Sequence, residues 1–305
     1  QALGGCAGLA LGRAIARDTA TPAEAVRDLA LLNLMMMIGP GISPLIGSVL
    51  NATFGWRAIF VVLCTLGAVT LALSWRLLPE TGRPTGSVRI GSLLGDYKQL
   101  LRMPVFVGFA IGGGCATTAV YGFIAAAPFI ISVQLHRPLH EVGIYIALVI
   151  IGMSVGNFTT RQLVRTVALK RLMMIGNALC TASALSLLAV VVLGDLNLFY
   201  MTGLMFVFAT GAGLASPAAL AKALGVDAKL VGSAAGCYGF LQMAVGAACS
   251  ALVGVGHDPA LTTGMVLTGA TLIGQSGFWF ALYSERAASK RKPLPPAVDI
   301  YSAPN

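Results

Sequence analysis

Polar side chains are scarce in the long apolar runs of this 305-residue sequence, so the few that stand there are the ones available for chemistry. Asn33, Met37, Pro40, Pro44 and Gly47 recur at i, i+4, i+7, i+11 and i+14, which places them on one face of a helix. Thr117 and Tyr121 are four residues apart, and Tyr238, Gln242 and Cys249 follow similar helical spacing. Amides, hydroxyls and phenols in an apolar setting can hydrogen-bond a neighbouring helix or a small molecule in a cavity. Asn33, Met37, Thr117, Tyr121, Tyr238 and Gln242 are therefore candidate cavity residues, with helix-to-helix bonding as the alternative for each. The same two readings apply to Asn157, Asn177 and Gln275.

Other chemistries find no support. Gly-x-Ser-x-Gly, phosphate-loop, dinucleotide and zinc patterns are all missing, which argues against ATP-driven work and against an enzyme. The glycine-rich stretch Gly211 to Ser216 lies within an apolar run, where packing explains it. His136 and His140 are four apart, but Pro138 between them opposes a helical metal pair, and with His257 they read as surface residues. The six cysteines fall in apolar segments at no redox or metal spacing. No catalytic, metal or cofactor residue is assigned.

The elements that must position these residues follow from composition. The chain is 57% hydrophobic and 10% charged, with a mean hydropathy of +0.84, far from the roughly 25% charged residues of a soluble domain. Apolar runs of about 20 residues are long enough to cross a bilayer. Nine are predicted, over about 1–17, 29–50, 56–78, 104–132, 141–160, 172–193, 197–220, 231–253 and 261–283. They define an all-α membrane protein, and the 37 glycines suit close helix contact within it.

Alternate connections between these runs hold 18 of the 20 lysines and arginines; the others hold only Arg57 and Arg137. Positive residues stay on the cytoplasmic side during insertion, so this bias supports nine spans and a cytoplasmic C-terminus. The net charge of +9 is thus explained by orientation, and nucleic acid is not a predicted partner. With nine spans ending inside, residue 1 lies outside, and no signal segment places it there; spans ahead of residue 1 are expected. The stretch from Pro79 to Met103 is the longest polar connection and reads as a cytoplasmic linker with room for a short surface helix. The predicted organisation is 1–78, linker 79–103, 104–284 and a cytoplasmic tail 285–305. A faint repeat supports two related halves: AGLALGRAIAR from Ala7 aligns with AGLASPAALAK from Ala212, six of eleven positions being identical.

The most specific local pattern is GPGISPLIG, Gly39 to Gly47, where Gly39, Pro40, Gly41, Pro44 and Gly47 interrupt an apolar helix. It resembles the antiporter motif of the major facilitator superfamily. The opening QALGG, GRAIARD from Gly12 to Asp18, FGWRAIF from Phe54 to Phe60, LLPET from Leu77 to Thr81 and the run from Gly232 to Gly254 are similar to the bicyclomycin-resistance type of drug:proton antiporter. Two segments depart from that pattern: Pro217-Ala218-Ala219 lacks an asparagine, and Gly156 to Arg165 is a weakened basic loop motif.

The resemblance implies a superfamily helical bundle with nine of its twelve helices present: three from the N-terminal bundle over 1–78 and a six-helix C-terminal bundle over 104–284. It implies export of drugs or small amphipathic compounds in exchange for protons from a bacterial inner membrane, as a monomer, with the proton gradient and no cofactor as energy source. The alternatives are transport of an endogenous metabolite such as an amino acid or sugar, and a fragment that does not transport. Arg13, Arg17 and Asp18 are candidate cytoplasmic gate residues, with snorkelling and topology signalling as the other reading of the arginines. All eleven acids fall in connections, at span ends or in the tail. The proton-binding carboxylate is expected, from the resemblance, in a first span ahead of residue 1.

Overall fold

The structure is a computed structural model that describes residues 42–43, 45–77, 90–164, 166–227 and 230–291. Described residues form helices joined by short connections: α1 (Leu45–Phe54), α2 (Trp56–Leu77), α3 (Ile90–Leu101), α4 (Pro104–Thr118), α5 (Val120–Phe129), α6 (Val142–Leu163), α7 (Leu169–Val192), α8 (Leu198–Leu224), α9 (Val231–Val255) and α10 (Pro259–Arg291). A π-turn, Ile130–Gln134, extends α5, and a 3-10 turn, Leu139–Glu141, precedes α6. Seven of the described helical runs are long and apolar enough to cross a membrane. They coincide with the seven predicted spans from 56 onward. The predicted span 1–17 and most of 29–50 lie outside the described residues.

Local sequence explains the boundaries. Gly55 sits at φ 78° between α1 and α2, a left-handed turn where a Cβ would be strained. Pro104 opens α4 at its first turn, where its missing N–H is no loss. Asn197 caps α8 by accepting from the Tyr200 amide at 3.0 Å. In the predicted linker, α3 docks on α9: the Ser233 hydroxyl donates to Asp96 at 2.9 Å, and Leu100 is fully buried.

Two predicted elements differ in detail. The span predicted over 104–132 is a 31-residue run, Pro104–Gln134, broken at Ala119. The Thr117 and Thr118 hydroxyls bond the carbonyls of Gly113 at 2.7 Å and Gly114 at 2.8 Å, a local competition with the helix ladder that bends helices. At the other end, α10 continues to Arg291, into the stretch predicted as tail, and Glu285 within that extension pairs with Lys222 at 2.7 Å.

Small residues set the packing from α4 onward. α8 lies between α6 and α7, with Gly213 and Gly156 forming notches against the α6 and α8 backbones, and with Gly176 facing Gly211 across to α7. α10 packs on α4 in the same way, with Gly108 and Gly112 against Gly277, Phe278 and Ala281. Lipid offers apolar side chains no gain from burial, so close backbone approach and interhelical hydrogen bonds must hold such a bundle. Two buried apolar clusters result, one around Phe123, Met205 and Phe208 and one around Phe106, Phe109 and Phe278. By contrast, α2 has no buried residue.

Candidate functional site

The polar residues picked out by spacing converge on the seam between α4 and α9. Gln242 Nε2 donates to Thr117 Oγ1 at 2.7 Å. Thr118 Oγ1 is also within bonding distance, 2.7 Å, of the Gln242 carbonyl. Thr117 lies near the middle of the span Pro104–Gln134 and Gln242 near the middle of Gly232–Val255, so the pair falls close to mid-depth of a bilayer. Tyr121, one turn beyond Thr117, lays its ring against Gly246 and is 41% exposed. Tyr238, one turn before Gln242, is 2% exposed, and its hydroxyl has no hydrogen-bond partner among the described residues.

Close to this seam, α4, α9 and α10 enclose an open crevice of about 640 Å³, lined by residues including Ile111, Cys115, Val245, Cys249, Met265 and Ile273. Its size suits a drug-sized molecule, and an apolar wall near a few placed polar groups is the usual composition of a small-molecule site. Val245 also packs at Gly114 beside Gln242, which connects the crevice to the polar pair.

The remaining candidates divide cleanly. Asn177 is fully buried and donates to the Gln275 side chain at 2.6 Å and the Thr271 carbonyl at 3.0 Å, so Asn177 and Gln275 join α7 to α10. Asn157 is half-buried on α6, its backbone nitrogen near Gly213. Gly47 lines a separate hollow of about 290 Å³ with Ser48, Pro128 and Leu139. Arg13, Arg17, Asp18, Asn33, Met37, Gly39, Pro40, Gly41 and Pro44 lie outside the described residues. Two participants were not singled out by spacing: Thr118, adjacent to a named residue, and Gly113, which makes room for the Tyr238 hydroxyl. A run of three glycines, Gly112 to Gly114, facing an aromatic helix is the signal that could have found the second.

Among the described residues no group of histidine, cysteine or acidic side chains could hold a metal ion. The Asp258 carboxyl lies in the short connection between α9 and α10. It accepts from the Leu261 amide at 3.0 Å and from Gln134 Nε2 at 2.7 Å. These donors hold it below its ordinary pKa, the Leu261 amide contributing most.

Seven membrane-length helices, glycine-mated and bridged by buried amides and hydroxyls, define a polytopic α-helical membrane protein. A family model described as Major Facilitator Superfamily matches residues 1–248, and the chain belongs to that superfamily. It is similar to the multidrug transporter MdfA of Yersinia pestis bv. Antiqua (strain Angola), 24% identical over 246 residues that cover 80% of this chain and 60% of that protein. It is also similar to the bicyclomycin resistance protein homolog of Haemophilus influenzae, 24% identical over 255 residues, covering 83% of this chain and 64% of the other. The chain thus spans about three fifths of the length of these relatives. Among solved structures it is similar to a bacterial homolog of the human lysosomal transporter Spinster in an inward-facing, unoccupied conformation. There the TM-score is 0.60 at 14% identity, over 93% of this chain and 75% of the other, a likeness of fold.

Proposed function

We propose that this chain works in a secondary active transporter that exports drugs or other small amphipathic compounds in exchange for protons. The observation that carries the reading is the Gln242–Thr117 bond at mid-depth near an apolar crevice of about 640 Å³. Amphipathic cargo needs both, an apolar surface for its body and a few polar groups to orient it. The names of the relatives, multidrug transporter and bicyclomycin resistance protein homolog, support the drug class.

Mid-span polar groups of this chain are uncharged, so their part is to contact and orient cargo, while the imposed proton gradient supplies the energy without a cofactor. Two bundles, 1–78 and 104–284, rock about the midplane through the linker 79–103. The distribution of lysine and arginine supports a bacterial inner membrane protein with a cytoplasmic C-terminus. Small-molecule cargo and the bilayer are its partners, and it acts as a monomer.

Full-length protein in proteoliposomes tests this. With an imposed pH gradient, lipophilic drugs should move against their own gradient, and collapse of the pH gradient should stop them. Gradient-driven uptake of an amino acid or sugar, with no response to drugs, would refute the reading in favour of a metabolite transporter.

A further inference from the structure

Tyr238 holds a polar group that no described residue engages. The residue is 2% exposed and sits in the buried cluster that includes Ala116, Ala218, Ala219 and Phe278. Its hydroxyl has no partner among the described residues, although buried phenols normally find one. A Cβ at Gly113 would collide with this hydroxyl and lie 3.0 Å from the Ala219 Cβ, so the group is seated in a notch walled by a glycine of α4 and an alanine of α8. Neither wall offers a side-chain acceptor. One turn along α9, Gln242 is already engaged with Thr117.

We propose that the Tyr238 hydroxyl is a hydrogen-bond donor to cargo, and that it biases the transporter toward amphipathic compounds bearing an uncharged ether, carbonyl or similar acceptor. The proposal rests on the export reading above. The hydroxyl is hidden at the seam between α4 and α9, so it meets cargo only when that seam parts. α4 ends at Thr118, where two threonine hydroxyls bond back to the preceding turn and the helical run breaks at Ala119. Across the seam, the Gln242 side chain donates to Thr117, and the single Thr118 hydroxyl hydrogen is shared between the Gly114 and Gln242 carbonyls. Tilting α9 away from Gly113 and Ala219 carries the phenol out of its notch, where an acceptor on the cargo can satisfy it. A compound of the same shape without an acceptor leaves the hydroxyl unpaired, which is how a site built to hydrogen-bond rejects an analogue.

The test uses purified full-length protein and two near-isosteric probes, para-methoxyphenyl and para-ethylphenyl triphenylphosphonium, with binding read by tryptophan fluorescence quenching. Wild type should bind the methoxy compound about tenfold more tightly, the worth of one net hydrogen bond. Tyr238→Phe should erase that preference by weakening the methoxy compound alone, with the thermal unfolding midpoint unchanged. Equal binding of the two probes by wild type, or an undiminished preference in Tyr238→Phe, overturns the assignment. So does a fall of several degrees in the midpoint of Tyr238→Phe, because the hydroxyl would then have a structural partner. A preserved probe preference without proton-driven efflux overturns the export reading and leaves the tyrosine's role standing. Binding of neither probe sinks both.

Discussion

Lys222 Nζ stands 2.7 Å from Glu285 Oε1 and 5.9 Å from the centre of the Phe109 ring, so one ammonium group ties the ends of α8, α10 and α4 together. The three residues share a crevice of about 650 Å³ with Arg102 and Pro104.

The two side chains of that pair are 27% and 45% exposed, and a pair this open to solvent contributes at most about 1 kcal/mol. Glu285→Gln should therefore lower the unfolding free energy by under about 1 kcal/mol, and by less as salt is raised. Thermal denaturation in detergent at low and high ionic strength checks this. A loss of several kcal/mol that salt does not touch would show the pair to be far more shielded.

Thr117→Val removes the acceptor of the Gln242 amide while keeping shape. The expected loss is about 1–2 kcal/mol, since the amide is left unpaired between helices. Gln242→Leu should cost less, and the double variant should show a coupling of about 0.6 kcal/mol, the average for such bonds in a membrane. Chemical unfolding of the four proteins measures it, and strict additivity would contradict the bond.

Glycines in this chain should separate into two groups by substitution. A Cβ at Gly213 would collide with the Met153 carbonyl and one at Gly156 with the Thr210 carbonyl, whereas at Gly239 and Gly269 nothing lies within 4 Å. Gly213→Ala and Gly156→Ala should each cost about 1–3 kcal/mol, because backbone has to move against backbone. Gly239→Ala and Gly269→Ala should be neutral or stabilise by up to about 1 kcal/mol through helix propensity. Melting temperatures of the four variants decide, and equal effects in the two groups would contradict the packing of α6 on α8.

Asp258 supplies a pH dependence whose sign is set by its depressed pKa. The ionised form is stabilised by the Leu261 amide and Gln134, so its contribution is complete above the ordinary value of 3.8 and is lost as pH falls through the lower folded value. Wild type should lose stability on acidification below about pH 4, and Asp258→Asn should lose less over that interval. Unfolding midpoints measured as a function of pH test this. An identical acid slope in the two proteins would remove Asp258 from the account.

What the sequence determined by itself was whatever depends on one segment at a time. Crossing a bilayer is a property of a single helix, since every backbone polar group is satisfied within it and the apolar surface need only match lipid. The boundaries around Trp56, Pro104 and Pro259 could therefore be approached from apolar runs and charge alone. The antiporter-like glycines and prolines at 39–44 and the gate candidates at 13–18 fall outside the described residues.

Which face of each helix meets which neighbour was decided only by tertiary structure. Gly213 and Gly269 are the same residue in similar apolar helices, yet one is pressed on a backbone and the other on nothing. Thr117 and Tyr121 share a predicted face, yet one is spent on Gln242 and the other is half-open. An apolar helix carries little periodicity when lipid and protein are equally apolar partners, so rotation about the helix axis is not written in hydropathy. It is set by where small residues let backbones approach and where the few amides and hydroxyls find one another across a seam.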